Sequence, residues 1–231
     1  MNYFPLVSSI TVAAFALILA AQYRQRRKKH QLVWTVSLIM FFATTLLEFQ
    51  AELVHEGSAS AIGWNELTYK SYYLLSPVMV ALMGAGSLYL LTHVPLGKYL
   101  LYYTITLTVP LSVLMLTFPV GDALQRAVVE VGGTEIGGAA MPSYVRIFSP
   151  LLTIPGGIAI IGGAVYSFWL DRARRYNLLI ALGGLFPFMG GLKTRFGNPA
   201  FFYLLEAVGI VLLFSGFVLS WEYARTAQRN Q

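Results

Sequence analysis

Residues 3–29 read YFPLVSSITVAAFALILAAQYRQRRKK. The first 21 of these positions carry no charge, whereas five of the last six are basic: Arg24, Arg26, Arg27, Lys28 and Lys29. A helix needs about 20 apolar residues to cross the hydrocarbon core of a bilayer. A secretory signal places its positive charges before its apolar run. Here they follow it, so the segment is expected to stay in the membrane as a helix with its N-terminus outside.

Six more apolar stretches follow, at 32–53, 67–93, 99–120, 148–170, 178–192 and 200–224. None alternates with period two, and runs such as Ile180–Leu185 and Ile210–Phe214 are apolar on every side, as a lipid-facing helix allows. The stretch at 178–192 is short and contains Pro187. It spans only by borrowing from Arg175–Asn177 and Lys193–Arg195. The expected architecture is an all-α integral membrane protein, a bundle of seven transmembrane helices forming one domain over residues 1–231.

Composition agrees. The chain is 57% hydrophobic and 11% charged, with a mean hydropathy of +0.65, whereas soluble domains are about a quarter charged. A water-soluble domain is excluded on that count, and a disordered chain by the abundance of apolar residues. The absence of cysteine removes disulfides, iron–sulfur clusters, thiolate zinc sites, cysteine nucleophiles and every lipid anchor attached through cysteine.

Loop charges give an orientation. With the N-terminus outside and the C-terminus inside, Arg24, Arg26, Arg27, Lys28, Lys29, Lys98, Arg172, Arg174, Arg175, Arg225 and Arg229 lie inside, eleven of the sixteen basic residues. The net charge of +6 then serves the bilayer and its anionic headgroups at the inner loops. A membrane or cytoplasmic protein partner there is the other option, and no nucleic acid is expected. Trp34, Trp169, Trp221 and Tyr223 fall near the inner interface and Trp64 near the outer one, as an aromatic belt requires. The one long loop, 121–147, is expected outside, with a short amphipathic helix from Asp122 to Val131.

An internal repeat is suggested by YYLLSPVMVALMGAGSL (72–88) and FYLLEAVGIVLLFSGFV (202–218), which share six of seventeen positions without gaps. Arg-x-Arg-Arg also recurs at 24–27 and 172–175. Two parallel three-helix units joined by a fourth helix would resemble, in architecture alone, the sugar and vitamin carriers built from triple-helix bundles, which implies substrate at the interface between repeats. The seven-helix plan also resembles opsins and receptors. The stretch 200–224 contains no lysine, so a retinal Schiff base there is excluded.

Ionisable residues inside a span are costly, and they are functional or paired. Glu48 and Glu52 share one face of the second helix with Thr45 and His55. Glu206 lies on the seventh helix and Lys70 on the third. At about 1.5 Å per residue, Glu48, Glu206 and Lys70 sit roughly 8, 9 and 5 Å below the outer helix ends, a depth at which unlike charges invite pairing. Tyr69, Tyr72, Tyr73 and Tyr203 gather at the same level beside Ser76. Glu48, Lys70, Tyr73, Ser76, Tyr203 and Glu206 are therefore the candidate ligand-binding residues of a cavity open to the outside. The alternative is a buried ion-pair network that fixes helix packing. Gly183-Gly184, Pro187 and Gly190-Gly191 in the sixth helix make either a gate or a close helix contact, and the contact is favoured.

No catalytic or metal-binding constellation is recognisable and no cofactor is indicated. His30, His55 and His93 fall at separate helix ends, and Gly84-Ala-Gly-Ser87 lies within a helix without a base. An enzyme is not favoured. The reading is a transporter of a small polar or amphipathic solute in a prokaryotic cell membrane. The alternative is a ligand-sensing or accessory subunit acting through a separate partner.

Overall fold

The computed structural model describes residues 3–55, 66–91, 95–120, 140–195 and 202–229, with the backbone alone at His55, 190–195 and 224–229. Seven long helices account for nearly all of it: α1 (Phe4–Arg26), α2 (Lys29–His55), α3 (Glu66–Leu88), α4 (Leu96–Thr117), α5 (Phe148–Leu170), α6 (Tyr176–Arg195) and α7 (Phe202–Arg229). A single helical turn, Ser143–Arg146, precedes α5. No strand occurs among the described residues. Six of the helices are long and apolar enough to cross a membrane, and α6 contributes a shorter apolar stretch, Tyr176–Met189. With 20 residues in all, α6 takes in Asn177 at one end and Lys193–Arg195 at the other. The chain is a polytopic helical membrane protein. The segment Asp122–Val131, expected as a surface helix, and Trp64 and His93 lie outside the described residues.

Short connections force successive helices to run antiparallel. At the first, Arg27 adopts a left-handed conformation (φ 48°) and its N–H donates to the Tyr23 carbonyl at 2.8 Å, closing α1; α2 begins two residues later. Between α5 and α6, Asp171 accepts the Ala173 N–H and the Arg174 Nε–H, both at 3.0 Å. Two residues into α6, Asn177 Nδ2 donates to Ser167 Oγ of α5 at 2.9 Å. The helix ends thus divide between two faces. The N-terminal face carries the starts of α1, α3, α5 and α7. The opposite, basic face carries Arg24–Lys29 and Arg172–Arg175, whose cations are all exposed.

Six helices form a closed ring in the order α1, α2, α3, α5, α6, α7 and back to α1, while α4 lies outside it against α3 and α5. Glycines set the closest approaches. A Cβ at Gly84 would stand 2.5 Å from the Gly156 carbonyl oxygen, and one at Gly156 would stand 2.6 Å from the Val80 carbonyl oxygen. The backbones of α3 and α5 therefore touch. A Cβ at Gly183 would stand 2.7 Å from the Gly209 carbonyl oxygen, and one at Gly209 would stand 2.5 Å from Pro187 Cδ. Gly183 and Pro187 of α6 make a close contact with α7, and Gly184 packs against Ile160 of α5, so at these positions the favoured one of the two expectations holds. Through the middle of the ring runs an apolar layer that includes Val12 and Phe15 of α1, Leu38 and Phe41 of α2, Met79 and Met83 of α3, Ile160 of α5, and Ile210 and Leu213 of α7. Its aromatic contacts centre on Phe15, whose ring lies 5.9 Å from Trp34, 5.4 Å from Phe214 and 4.9 Å from Phe217.

Gly156→Ala is expected to lower the stability of the purified protein by about 1–3 kcal/mol, the range for overpacking a close contact. Gly162→Ala, where nothing lies within 4 Å of the added methyl, should be neutral or gain up to about 1 kcal/mol of helix propensity. Thermal unfolding midpoints of the two variants in one detergent make the comparison.

Candidate functional site

The second helix carries an unusual buried stripe. Gln31, Thr35, Leu38, Phe41, Thr45, Glu48 and Glu52 recur at three- and four-residue spacing, so they share one face, and all seven are buried. That face turns into the ring. Threonine satisfies its hydroxyl on its own helix: Thr45 Oγ1 donates to the Phe41 carbonyl at 3.1 Å, and Thr44 Oγ1 to the same carbonyl at 2.8 Å. A glutamate side chain has no such local recourse and needs partners on other helices.

Glu48 finds one on α3 and one on α7. The Tyr72 hydroxyl donates to Glu48 Oε1 at 3.1 Å, and the carboxyl group of Glu206 meets that of Glu48 within hydrogen-bonding reach. Both glutamates are only 3% exposed. In the ring α1 stands between α2 and α7, so the two carboxyls meet inside the bundle. An ionised carboxylate only accepts hydrogen bonds, so this contact becomes a hydrogen bond when one of the two groups carries a proton. Their Oε2 atoms are buried and take no N–H or hydroxyl donor from the described residues. Ser8 and Ser9 of α1, in the same half of the bundle, also have buried hydroxyls without a partner among the described residues. Tyr203 is buried one turn before Glu206 and close enough to Tyr72 for their hydroxyls to interact electrostatically. Glu52 is buried one turn from Glu48 toward the N-terminal face.

The other candidates lie apart from the carboxyls. Lys70, expected to pair with the buried glutamates, instead pairs with Glu66 one turn away on its own helix, Nζ to Oε1 at 2.6 Å. The Lys70 side chain is 14% exposed and that of Glu66 42%, so the pair reaches the surface through Glu66 at the N-terminal end of α3. Tyr73 packs with Tyr69 in an apolar cluster that joins α3 to Leu111 and Met115 of α4, to Ala140, Met141 and Val145, and to Leu152 of α5. The two tyrosine rings are 6.4 Å apart, and Tyr69 is hydrogen-bonded to the Ala140 backbone. The four tyrosines at one level thus divide between two jobs. Tyr72 bonds Glu48, with Tyr203 near Tyr72, and Tyr69 and Tyr73 fill the space behind α3. Ser76 is half-buried, one turn along α3 from Tyr72.

The arrangement brings together Glu48, Glu206, Tyr72 and Tyr203 and leaves Lys70 at the rim. The Glu66 partner was available from its four-residue spacing to Lys70. That Tyr72, rather than Tyr73, bonds Glu48 depends on the rotation of α3, which composition does not carry. Among the described residues, no group of three or more His, Cys, Asp or Glu side chains is placed to hold a metal ion. Comparison of the chain with protein-family models, with curated proteins and with solved structures returned no match.

Tyr72→Phe is expected to cost about 1 kcal/mol, the usual net value of a hydrogen bond. The loss should shrink toward zero in a Glu48→Ala background, since the two side chains form one interaction. A double-mutant cycle on thermal stability measures the coupling. Equal losses in both backgrounds would show that the hydroxyl is held elsewhere.

Proposed function

We propose that the protein is a transporter of a small polar or amphipathic solute, with Glu48 and Glu206 as a proton-sharing pair that couples solute movement to protons. The observation that carries this reading is the meeting of two buried carboxyls across the ring interior, with their Oε2 atoms left without donors among the described residues. As a purely structural device the pair is a poor choice. Burying ionisable groups costs more than apolar packing of equal volume, and such residues inside a membrane mark ion or substrate pathways. The two carboxyls also bond to each other only while at least one of them is protonated, and they repel when both are ionised. A change of protonation would therefore alter the contact between α2 and α7, as coupling requires. In this reading the cavity opens at the N-terminal face and is lined by α2, α3 and α7. Lys70 stands at its rim, Tyr73 stands behind its wall, and Ser76 lies one turn from Tyr72 on the same face of α3.

Orientation and repeat belong to the same proposal. The excess of cations on the face opposite the N-terminus supports an outside N-terminus in a prokaryotic cell membrane. The ring contacts suit two parallel units, α1–α3 and α5–α7. The third helix of each touches the first helix of the other, α3 on α5 and α7 on α1. The aligned glycines Gly86 and Gly216 also occupy like positions. Each lies against the early residues of the preceding helix, Trp34 of α2 and Tyr176 and Ile180 of α6.

An accessory or ligand-sensing subunit is the second reading. It is favoured by the eight exposed cations of Arg24–Lys29 and Arg172–Arg175 on one face, which suit anionic headgroups or an acidic partner. Native mass spectrometry of the gently purified protein separates the two by showing a bound solute or a stoichiometric partner. For a solute so identified, proteoliposomes are expected to show saturable flux that a protonophore abolishes. Glu48→Gln and Glu206→Gln should each reduce proton-driven flux to background while leaving the protein folded. Wild-type flux in both variants would discard the carboxyl pair as the coupling site.

A further inference from the structure

The stripe on α2 has a second polar end. Below the apolar layer of Phe15, Leu38 and Phe41, it continues to Thr35 and Gln31, close to the basic face. Gln31 is 4% exposed and Trp34, three residues on and on the same side of the helix, is 8% exposed. Gln31 Nε2 donates to Gln22 Oε1 of α1 over a long 3.4 Å. This leaves Gln31 Oε1, Gln22 Nε2 and Trp34 Nε1 buried, with no partner among the described residues. Exchanging nitrogen and oxygen in both amides leaves the same tally, one acceptor and one amide donor unmet. The indole N–H can only donate. Each such group is costly to leave unmet in the interior; Gln22 and Gln31 meet across α1 and α2, and Trp34 lies one turn along α2 from Gln31. The Cδ1–Nε1 edge of the indole lies close to Gly86 of α3, where no Cβ would fit.

We infer that Gln22, Gln31 and Trp34 form a second binding site, on the basic-face side of the apolar layer, for an uncharged hydrogen-bonding group such as a carboxamide or a hydroxyl. The unmet atoms offer two donors and one acceptor and no formal charge. A neutral group that both accepts and donates completes them, whereas a charged one would be desolvated there without a counter-charge. That this site serves the same solute as the carboxyl pair rests on the transport function proposed above; the site itself rests on the unmet atoms. Two polar sites on one helix face, separated by an apolar layer drawn from α1, α2, α3, α5 and α7, then form the two halves of one pathway with its barrier closed.

The chain has no cysteine, so single-cysteine variants need no background substitutions. Thr45→Cys, Leu38→Cys and Thr35→Cys are treated with a charged, membrane-impermeant methanethiosulfonate in right-side-out and in inverted vesicles. Reaction of Thr45→Cys from one side only, of Thr35→Cys from the other side only, and of Leu38→Cys from neither is the expected pattern. Acetamide should slow the modification of Thr35→Cys severalfold, acetate should not, and adding Trp34→Phe, which removes only the indole N–H donor, should abolish the protection. If Thr35→Cys does not fold, Gln31→Cys reports accessibility one turn away. Reaction of Thr35→Cys without protection by acetamide would make the region a water-filled vestibule and overturn the site. A Thr35→Cys inert from both sides while Thr45→Cys reacts would overturn this site and leave the carboxyl pathway standing. Inertness of both would overturn the two together.

Discussion

The backbones of α3 and α5 touch at Gly84 and Gly156, and the interior of the bundle depends on that crossing. Lipid tails are as apolar as leucine, so apolar burial alone does little to draw membrane helices together. Close backbone approach supplies the dispersion contacts instead, and only glycine permits it. The same device acts between α6 and α7, where Gly183 lies against the Gly209 carbonyl and Gly209 against the Pro187 ring. With α3 held on α5 and α6 on α7, the chain closes on itself through α7 and α1. The ring then has an inside. Without that inside, Glu48 and Glu206 would face lipid.

The stripe on α2 shows how polarity is placed in such an interior. Short hydroxyl side chains bond back to their own helix, as Thr35 Oγ1 does to the Gln31 carbonyl at 2.7 Å, and so disappear from the polar ledger. Ser37 does the same across an interface, reaching the Met79 carbonyl of α3 at 2.6 Å. Long side chains with terminal carboxyl or amide groups cannot fold back in this way. Unmet polarity is therefore concentrated at Glu48, near one end of the stripe, and at Gln31, at the other, with Leu38 and Phe41 between. Ser8 and Ser9 depart from the rule for hydroxyls, and both fall in the half of α1 that faces the carboxyl level.

Much of this was legible in sequence because apolar length and charge position are one-dimensional quantities. The runs at 3–23 and 32–53 became α1 and α2 with shifts of a few residues at their ends. The short run at 178–192 lies in a 20-residue helix that takes in Tyr176, Asn177 and Lys193–Arg195 from its flanks but leaves out Arg175. Depth along a helix was legible too, and it singled out Glu48 and Glu206. Rotation about the helix axis was not. Tyr72 and Tyr73 are adjacent in sequence and at one depth, yet one bonds Glu48 and the other packs behind α3 against α4 and α5. Lys70 shares that depth as well, but a partner one turn away on its own helix needs no tertiary contact to form. Such a pair forms within the helix itself and holds the largely buried ammonium beside Glu66.

The place of α4 follows from the direction of its neighbours. Along the α3–α5 seam, Gly84 meets Gly156, and further on Leu91 and Ser87 lie at Gly163, so both helices advance in the same direction. A chain that leaves α3 at the basic face must return to the N-terminal face before α5 can begin, and one helix must carry it there. Since α3 and α5 already touch, that helix has no room between them and lies outside. Its exposed residues include Tyr99, Ile105, Val109, Val113 and Leu116, whereas its buried ones are Gly97, Thr104, Leu111 and Met115. A helix placed by this requirement contributes little to the interior, and neither the carboxyl pair nor the glutamine–tryptophan cluster draws a residue from it. Both are drawn from the six helices that close the ring.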